Sequence, residues 1–432
     1  MSVVGANSIF TAMKQNGPFR VNDDLSYGHV FTAHSRNWIR TFCLEPVTVT
    51  KYRAVREHIF DLLQVDNYQD IPKLFDKKVD IIKRSQRAYT LLGNLYGIQG
   101  DANEIQSRIK SYASSADAVI SYLKNKVLNN QCSNIELSNE IETTHNPVEL
   151  LLIIFNPQYH KKSRFEAKRK LVLMGLAASI DQRERETDIE NKFSNFLNFL
   201  NRYVWSPALK IGELQNAYLH SFHDLDEFSC TKVDIVENIP GKLGEREKLT
   251  MVKRRLFQFN DKHIPVYVTV RKKDSAAKIL KLLRKNEKNP AVAVDDELGL
   301  MAVLDCTADI KHFVKHLTKS AVKADSIMVL EDITDTLTGG YYHASSTGSN
   351  SHTPMLKFFA RLGGMRVEFI IHTNETYLNY RYQRGVAHDE YEVRRLFDSG
   401  VAEFLFPEDI YQIDMSYIKQ SQLDSFRKKI ES

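Results

Sequence analysis

The spacing of apolar residues changes about halfway along the 432-residue chain, and this change limits the folds that the sequence can adopt. Between residues 50 and 130 apolar residues recur every three or four positions, which is typical of amphipathic helices. After about residue 235 short β-rich runs alternate with helical stretches, and Met365–Thr373 is the clearest of these runs. We therefore expect an α+β fold, with a mixed sheet and flanking helices in the C-terminal half after a mainly helical N-terminal region.

The same pattern divides the chain into four segments. Residues 1–150 are expected to form a mainly helical region of unknown role, and residues 151–235 a helical connecting region. Residues 236–410 would contain the sheet, and residues 411–432 would form a C-terminal helix. Within the third segment, a basic helix is expected over Ser275–Lys285.

Composition is that of a soluble globular protein, with 43% apolar and 26% charged residues. No apolar run approaches the roughly 18–20 residues that cross a bilayer, and the N-terminus lacks the pattern of a signal peptide. The four cysteines lie far apart and in no metal-binding spacing. We therefore expect a cytoplasmic protein with no membrane partner.

Positive charge is concentrated in three short segments, although the net charge of +5 is small for this length. The segments are 161–170, 253–255 and 271–288. A solvated helix face is the simplest interpretation of each one. Two histidine motifs are weaker still: His223–Asp224 lacks the further ligands of a metal-dependent phosphohydrolase, and His312 with His316 is expected to be a surface pair.

Cations at the end of one predicted strand form the first candidate site. Arg271 and Lys273 stand two residues apart there, and Lys281 follows on the predicted helix. A lysine offers a point charge and an arginine a planar fork for phosphate oxygens, so the three suit a polyphosphate. An ordinary exposed helix start would have the same composition.

Carboxylates and an aromatic residue follow at positions that also suit a nucleotide. Asp296 precedes a glycine and an apolar strand, as a magnesium ligand beside substrate phosphates would, although an acidic turn is equally consistent with it. Tyr341 follows two glycines and would be free to stack on a base. Glu368 lies inside an apolar strand, where an unpaired carboxylate is costly, so a functional role is favoured. His388 is expected on one helix face with Tyr391.

These elements resemble, in the same order, the motifs of the RelA/SpoT-type (stringent-response) nucleotide pyrophosphotransferase family. Arg271-x-Lys273 resembles the family's RxKS element, and Asp296-ELGLM resembles its D-x-x-G-x-R strand. Gly340-Tyr341 resembles the N-G-Y loop, Arg366-VEFIIHT the V-E-x-Q-I-R-T strand, and Gly385-VAHDEY the G-x-A-x-H-x-x-Y helix. Each motif is weak alone, and the ordered set is moderately specific.

The resemblance implies a synthetase domain of the nucleotidyltransferase type and a magnesium-dependent transfer of pyrophosphate from ATP to the 3′-hydroxyl of an acceptor nucleotide. It assigns the ATP phosphates to Arg271, Lys273 and Lys281, and Mg²⁺ to Asp296. It assigns the acceptor to Tyr341 and His388. Glu368 would complete the magnesium site or take the proton from the attacking hydroxyl.

The chain departs from the family pattern at three strand positions. Met301 and His372 replace arginines of the motifs, and Ile370 replaces a glutamine. The acceptor is therefore open among GDP or GTP, an adenine nucleotide and an RNA.

Two further interpretations remain. Some toxins of the family modify the 3′ end of tRNA, and the basic segments near Lys161 and Lys253 would suit such an RNA. The domain would otherwise be a non-catalytic nucleotide-sensing or protein-binding module. Residues 1–235 carry no recognised motif, so a regulatory role or the binding of a regulatory or antitoxin protein is the expectation for them.

Overall fold

The computed structural model describes residues 46–128, 137–209, 213–237, 239, 241–295, 297–339 and 353–431. They fall into two compact units, each made of several chain segments. Unit 1 draws its residues from 1–186, 274–291 and 396–419, and unit 2 from 187–273, 292–395 and 420–432.

Helices make up the described part before residue 205, in agreement with the helical spacing of the sequence. They are α1 (Pro46–Leu63), α2 (Lys78–Leu95), α3 (Ala102–Leu123), α4 (Asn139–Thr143), α5 (Pro147–Phe155), α6 (Lys161–Thr187) and α7 (Ile189–Phe199), with a 3-10 helix at Tyr68–Leu74 and π-helical turns at Lys124–Leu128 and Leu200–Val204. Asp101 begins α3 with a capping box, in which its side chain accepts from Glu104 N–H and the Glu104 side chain accepts from Asp101 N–H.

A mixed eight-stranded sheet forms the centre of unit 2. Its strands are β1 (Gln215–His223), β2 (Cys230–Val236), β3 (Glu247–Phe259), β4 (Lys262–Lys272), β5 (Leu298–Leu304), β6 (Val329–Asp335), β7 (Leu356–Leu362) and β8 (Met365–Thr373). The order is β2-β1-β3-β4-β5-β8-β7-β6; β5 and β8 run parallel and the other neighbours antiparallel. The expected α+β fold with a mixed sheet is therefore confirmed.

The helices of the second half lie between and after these strands. They are α8 (Ser275–Lys285), α9 (Ala291–Val294), α10 (Thr307–Lys323), α11 (Asn374–Tyr382), α12 (His388–Asp398), α13 (Val401–Leu405), α14 (Glu408–Tyr411) and α15 (Met415–Glu431). The bounds of α8 match the basic helix expected from the sequence. The Asp274 side chain caps α8 by accepting from the N–H of Ala277.

The sheet begins earlier than the sequence pattern predicts, because β1 and most of β2 lie inside the segment 151–235 that was expected to be helical. Burial along β1 does alternate, with Leu219 and Ser221 inward. The outward positions, however, include Tyr218 and Phe222, which are half-buried. Large aromatic side chains on the outward face hide a two-residue period from a hydrophobicity pattern.

Alternating residues of the central strands separate the two faces of the sheet. On one face, Val266, Leu300 and Phe369 belong to the main core of unit 2, which α7 and α10 cover. The opposite face carries Tyr267 and Val303, which pack with Tyr377 and Leu378 of α11 in a smaller cluster. Charged residues of the central strands therefore project from the second face, beside α11.

The basic segment on α6 is a buried network, so the expectation of a solvated helix face is wrong there. Four of its cations, Arg164, Lys168, Arg169 and Lys170, are almost fully buried. The Arg169 Nη1 donates to the carbonyl oxygen of Leu405 at 2.6 Å, and the Lys170 Nζ lies 2.8 Å from an oxygen of Asp117. Cations buried with such partners are withheld from an outside ligand.

No helix of the described ranges is both long and apolar enough to cross a membrane.

Candidate functional site

Four residues on four neighbouring strands form one row across the sheet. Gly299 on β5 lies between Arg271 on β4 and Glu368 on β8. Glu368 in turn lies opposite Phe359 on β7. Residues that pair directly across strands point to the same side of a sheet, so this row lies on the face away from the main core. The sequence predicted Arg271 and Glu368 as site residues, and the structure brings their side chains together.

Glu368 is the buried acid of the row. Its side chain is only 8% exposed, its Oε2 accepts from Arg271 Nη2 at 2.9 Å, and its Oε1 lies 3.0 Å from Lys357 Nζ. Burial acts to raise the pKa of this carboxyl, but the charges of Lys357, Lys273 and Arg271 together lower it below its ordinary value. Glu368 is therefore an ionised carboxylate held between cations.

Lys357 is a site residue that the sequence reasoning missed. It lies on β7 beside the row, its side chain is only 6% exposed, and it pairs with Glu368. A signal was available, because Lys357 interrupts the apolar run Met355–Ala360 in the way that Glu368 interrupts its own strand. The criterion of a charge within a buried strand, applied to every strand, would have found it.

Gly299 leaves room for the Arg271 side chain to reach Glu368. A Cβ atom added at Gly299 would lie 3.0 Å from Arg271 Nε and 3.3 Å from its Cγ. The guanidinium therefore crosses the sheet directly over the glycine. Arg271 is also 48% exposed, so it is the part of the cluster that solvent or a ligand can reach.

Lys273 stands near the same carboxylate. Its charge helps to lower the pKa of Glu368, and its backbone N–H donates to the carbonyl oxygen of Glu297 at 3.2 Å. Arg271, Lys273 and Lys357 therefore place three cations around one carboxylate, which suits a polyphosphate.

His388 and Tyr380 form an aromatic pair close to Arg271. Their rings stack with centroids 5.0 Å apart. Burial lowers the pKa of His388. The negative charges of Glu392 and Asp389 act to raise that pKa, and the positive charge of Arg271 acts to lower it, so the pKa stays below its ordinary value. His388 is thus a largely neutral imidazole beside the exposed cation, whereas Tyr391, expected on the same helix face, lies against Arg395.

The two rows beside the Glu368 row differ in charge: Arg361 lies opposite Arg366 on one side, and the row on the other side is uncharged except for Lys357. Met301 lies opposite Ile370, and Val303 lies opposite His372. Burial lowers the pKa of His372 to about 4, so this imidazole is neutral near pH 7. The three departures from the family motifs therefore lie side by side, where they remove hydrogen-bonding groups and charge from the surface next to Glu368.

The assignments of three other predicted residues stay predictions. Lys281 lies on α8 in unit 1. Asp296 and Tyr341 lie outside the described residues, so their assignments stay predictions.

A magnesium ion would find part of its ligand set here. No group of three or more His, Cys, Asp or Glu side chains gathers among the described residues. Magnesium is, however, commonly held by one or two carboxylates together with substrate phosphates, and Glu368 supplies one ionised carboxylate. The Glu368 carboxylate is therefore a suitable magnesium ligand once the Arg271 guanidinium has left it and bound a phosphate.

Two other histidines have structural roles. The Nδ1 of His223 is 3.0 Å from the carbonyl oxygen of Phe228, and the ring stacks on Phe228. His316 is buried, with its Nε2 2.7 Å from the carbonyl oxygen of Val204, so the expectation of a surface pair with His312 is wrong. The inward position of His316 follows from its place beside Phe313 and Leu317 on the buried face of α10.

The second basic segment is also not a continuous surface. Arg254 is buried and donates to Asp305 at 3.0 Å, and the Arg255 guanidinium lies 5.5 Å from the ring of Trp205. Lys253 alone of these three is exposed. Arg254 and Arg255 therefore do not form an open basic surface with Lys253, and the RNA partner stays a prediction.

Comparison with known proteins gives limited information. No family model matches the chain, and no curated protein matches it. Among solved structures, a GTP pyrophosphokinase family protein from Streptococcus pneumoniae shows 22% sequence identity over 36% of this chain and 78% of that chain, with a TM-score of 0.18. A likeness at that score is weak.

Proposed function

We propose that unit 2 is a magnesium-dependent nucleotide pyrophosphotransferase, which moves pyrophosphate from ATP to the 3′-hydroxyl of an acceptor nucleotide. The observation that carries this proposal is the row in which Arg271 crosses Gly299 to Glu368, with Lys357 and Lys273 beside it. Phosphoryl-type transfer requires mainly positioning and neutralisation of charge, and a cluster of cations around one carboxylate supplies both.

Arg271 would bind the ATP phosphates by leaving Glu368. Its side chain is half exposed, whereas Lys357 is buried, so the arginine is the partner that can turn outward. A guanidinium offers two parallel hydrogen bonds to phosphate oxygens as well as to a carboxylate. Lys357 would remain on Oε1 and keep Glu368 ionised, and Lys273 would add a second cation for the phosphates.

In the transfer, the acceptor 3′-oxygen forms a bond to the β-phosphorus of ATP. The bond between that phosphorus and the oxygen bridging to the α-phosphorus breaks, and AMP leaves with the electron pair. After Arg271 has left, Lys357 and Lys273 still lower the pKa of Glu368, so Glu368 is a weak base and the hydroxyl proton passes to water. The carboxylate then acts by holding magnesium through its negative charge. Magnesium, when bound by Glu368 and the phosphates, supplies neutralisation of phosphate charge.

The acceptor is the less defined part of the proposal. Met301 and Ile370, which are half-buried, offer the acceptor side of the site an uncharged surface, and His372 is buried behind it. This argues for an acceptor held by stacking and shape more than by ion pairs, and His388 with Tyr380 would contribute to it. Transfer to a tRNA 3′ end and a non-catalytic nucleotide sensor remain the alternatives to be tested.

The test is product identification with purified protein, ATP labelled in the β-phosphate, Mg²⁺, a panel of nucleotides and bulk tRNA. Label should move to one class of acceptor, and Glu368→Gln should reduce transfer at least about a hundredfold. Glu331→Gln is the matched control, because that carboxylate also bridges two cations, Arg361 and Arg366, outside the row. It should transfer label at the wild-type rate.

Two outcomes would refute the enzyme. Binding of ATP with no transfer to any acceptor would favour a nucleotide sensor. If the wild type fails to bind ATP, and Arg271→Ala gives the same result, Arg271 is not a phosphate-binding residue.

A further inference from the structure

Helix α10 carries lysines at every fourth position. Lys311, Lys315, Lys319 and Lys323 are all exposed. Four residues advance an α-helix by about 6 Å and turn it by about 40° beyond a full circle, so the four ammonium groups follow one slowly winding line about 18 Å long. A regular row of point charges is a surface for a regular row of anions.

These lysines are not neutralised by neighbours within the described part of the chain. No ion pair there joins any of the four to a carboxylate, and the one acidic residue of α10, Asp309, lies 3.7 Å from His312. Other exposed lysines do have such partners, for example Lys73 with Asp70 and Lys232 with Asp234. The potential of the four charges therefore adds up along the helix.

Aromatic rings lie among the charges. The ring of Phe259, at the end of β3, stacks on His312 with centroids 4.4 Å apart. The ammonium groups of Lys315 and Lys319 lie 5.9 Å and 6.0 Å from the centre of the same Phe259 ring. Lys262 pairs with Phe259 across the hairpin and adds a fifth cation on that side.

We propose that this surface, defined by Lys311, Lys315, Lys319 and Lys323 with Phe259, His312 and Lys262 and here named the α10 surface, binds the phosphate backbone of RNA. Evenly spaced cations track a sugar–phosphate backbone, and the His312 ring, whose side chain is 42% exposed, offers a stacking position to an unpaired base. An anionic membrane fits less well, because Val322 is the single large apolar side chain exposed on α10.

The α10 surface is separate from the proposed active site. The inner side of α10, with Ile310 and Phe313, packs on the core face of the sheet, whereas Glu368 projects from the opposite face. RNA on α10 would therefore hold the protein on an RNA and would not itself be the reacting group. The proposal does not depend on pyrophosphate transfer, and its test uses no ATP.

The experiment measures anisotropy of a fluorescent single-stranded oligoribonucleotide titrated with the full chain at several salt concentrations. The variant Lys315→Gln/Lys319→Gln removes two cations beside Phe259. Each cation lost from a single-strand contact lowers the slope of log K against log salt by about 0.7, so the slope should fall by about 1.4 and affinity at 0.1 M salt by about 25-fold.

Two controls separate the surface from general charge and from folding. Lys83→Gln/Lys110→Gln removes the same charge from exposed positions of α2 and α3 and should bind like wild type. Lys315→Arg/Lys319→Arg keeps the charge and should also retain affinity. Both variants at 315 and 319 should keep the thermal midpoint of the wild type, because the altered side chains are exposed.

Several results would overturn the proposal. The wild type could fail to bind RNA at low salt, or the two glutamine variants could lose affinity equally. Binding to phosphatidylserine vesicles and not to RNA, lost in Lys315→Gln/Lys319→Gln, would assign the surface to a membrane.

Discussion

Replacement of Lys357 by Met is the sharpest test of the carboxylate cluster. Methionine keeps most of the volume and the unbranched shape of the lysine stem but removes the ammonium group that lies 3.0 Å from Glu368. Both side chains of this pair are less than a tenth exposed. Removing one partner of a buried pair leaves a charge without compensation, which typically costs about 3–5 kcal/mol.

The second cation reduces that cost. Arg271 stays 2.9 Å from Glu368, but its own half exposure weakens the compensation that it provides. We therefore expect Lys357→Met to lower the free energy of unfolding by about 2–3 kcal/mol near neutral pH. For a unit of this size that is a fall of about 5–10 °C in the thermal midpoint.

The loss should depend on pH. Because the folded-state pKa of Glu368 is below its ordinary value of 4.5, its stabilising contribution is complete above that value and is lost as pH falls through the folded pKa. In Lys357→Met the strongest lowering charge is gone while burial remains, so the pKa of Glu368 rises. The difference in free energy of unfolding between the wild type and Lys357→Met should be largest near pH 7. It should shrink at lower pH as Glu368 becomes protonated in each protein.

The assay is urea denaturation of both proteins from pH 4 to pH 8, with Lys253→Met, an exposed lysine of the same sheet, as the control. The control should change stability by less than about 0.5 kcal/mol. A loss of stability in Lys357→Met that stays constant with pH would refute the reasoning, since it would show that the lysine acts through packing and not through the charge of Glu368.

Two further predictions address the same face of the sheet. Gly299→Ala places a Cβ atom 3.0 Å from Arg271 Nε, so the arginine must shift by a few tenths of an ångström and its contact with Glu368 weakens. Since Arg271 has to leave Glu368 before it binds phosphate, calorimetric titration with Mg-ATP should show binding tightened by up to about tenfold, or about 1.4 kcal/mol, and weakened binding would contradict the exchange. Burial lowers the pKa of His372 from 6.5 to about 4. Between pH 6.5 and pH 4 the unfolded chain therefore binds a proton that the folded chain does not. The free energy of unfolding of the wild type should fall by up to roughly 3 kcal/mol as pH drops through this range. His372→Phe should remove that part of the pH dependence in urea denaturation, and an unaltered pH profile would show that His372 is not its source.

Local pattern was sufficient for several elements of the fold. Met365–Thr373 is β8, and Ser275–Lys285 is α8, as the sequence predicted. These segments have strong periodicity or a clear cap, so their conformation is favoured by neighbours in sequence. The strand β1 was missed because half-buried aromatic residues occupy its outward face.

Charge was a poorer guide than periodicity. The sequence identified Arg271 and Glu368 but gave no means of telling that Lys170 is buried against Asp117 while Lys315 is solvated. A lysine has the same side chain in both settings, and its partner can lie far away in sequence. Such partners are established by packing, which the local sequence does not specify.

The amino-acid pattern alone specifies the class of fold, the position of the strongest strands and helices, and the carboxylate of Glu368 within an apolar strand. These follow from hydrophobic period and from the cost of a charge in an apolar strand, both of which are local. Only the tertiary structure decided that Glu368 lies one strand from Gly299 and faces Arg271 and Lys357. Strand order and register depend on contacts between distant segments, and no local pattern specifies which strands become neighbours.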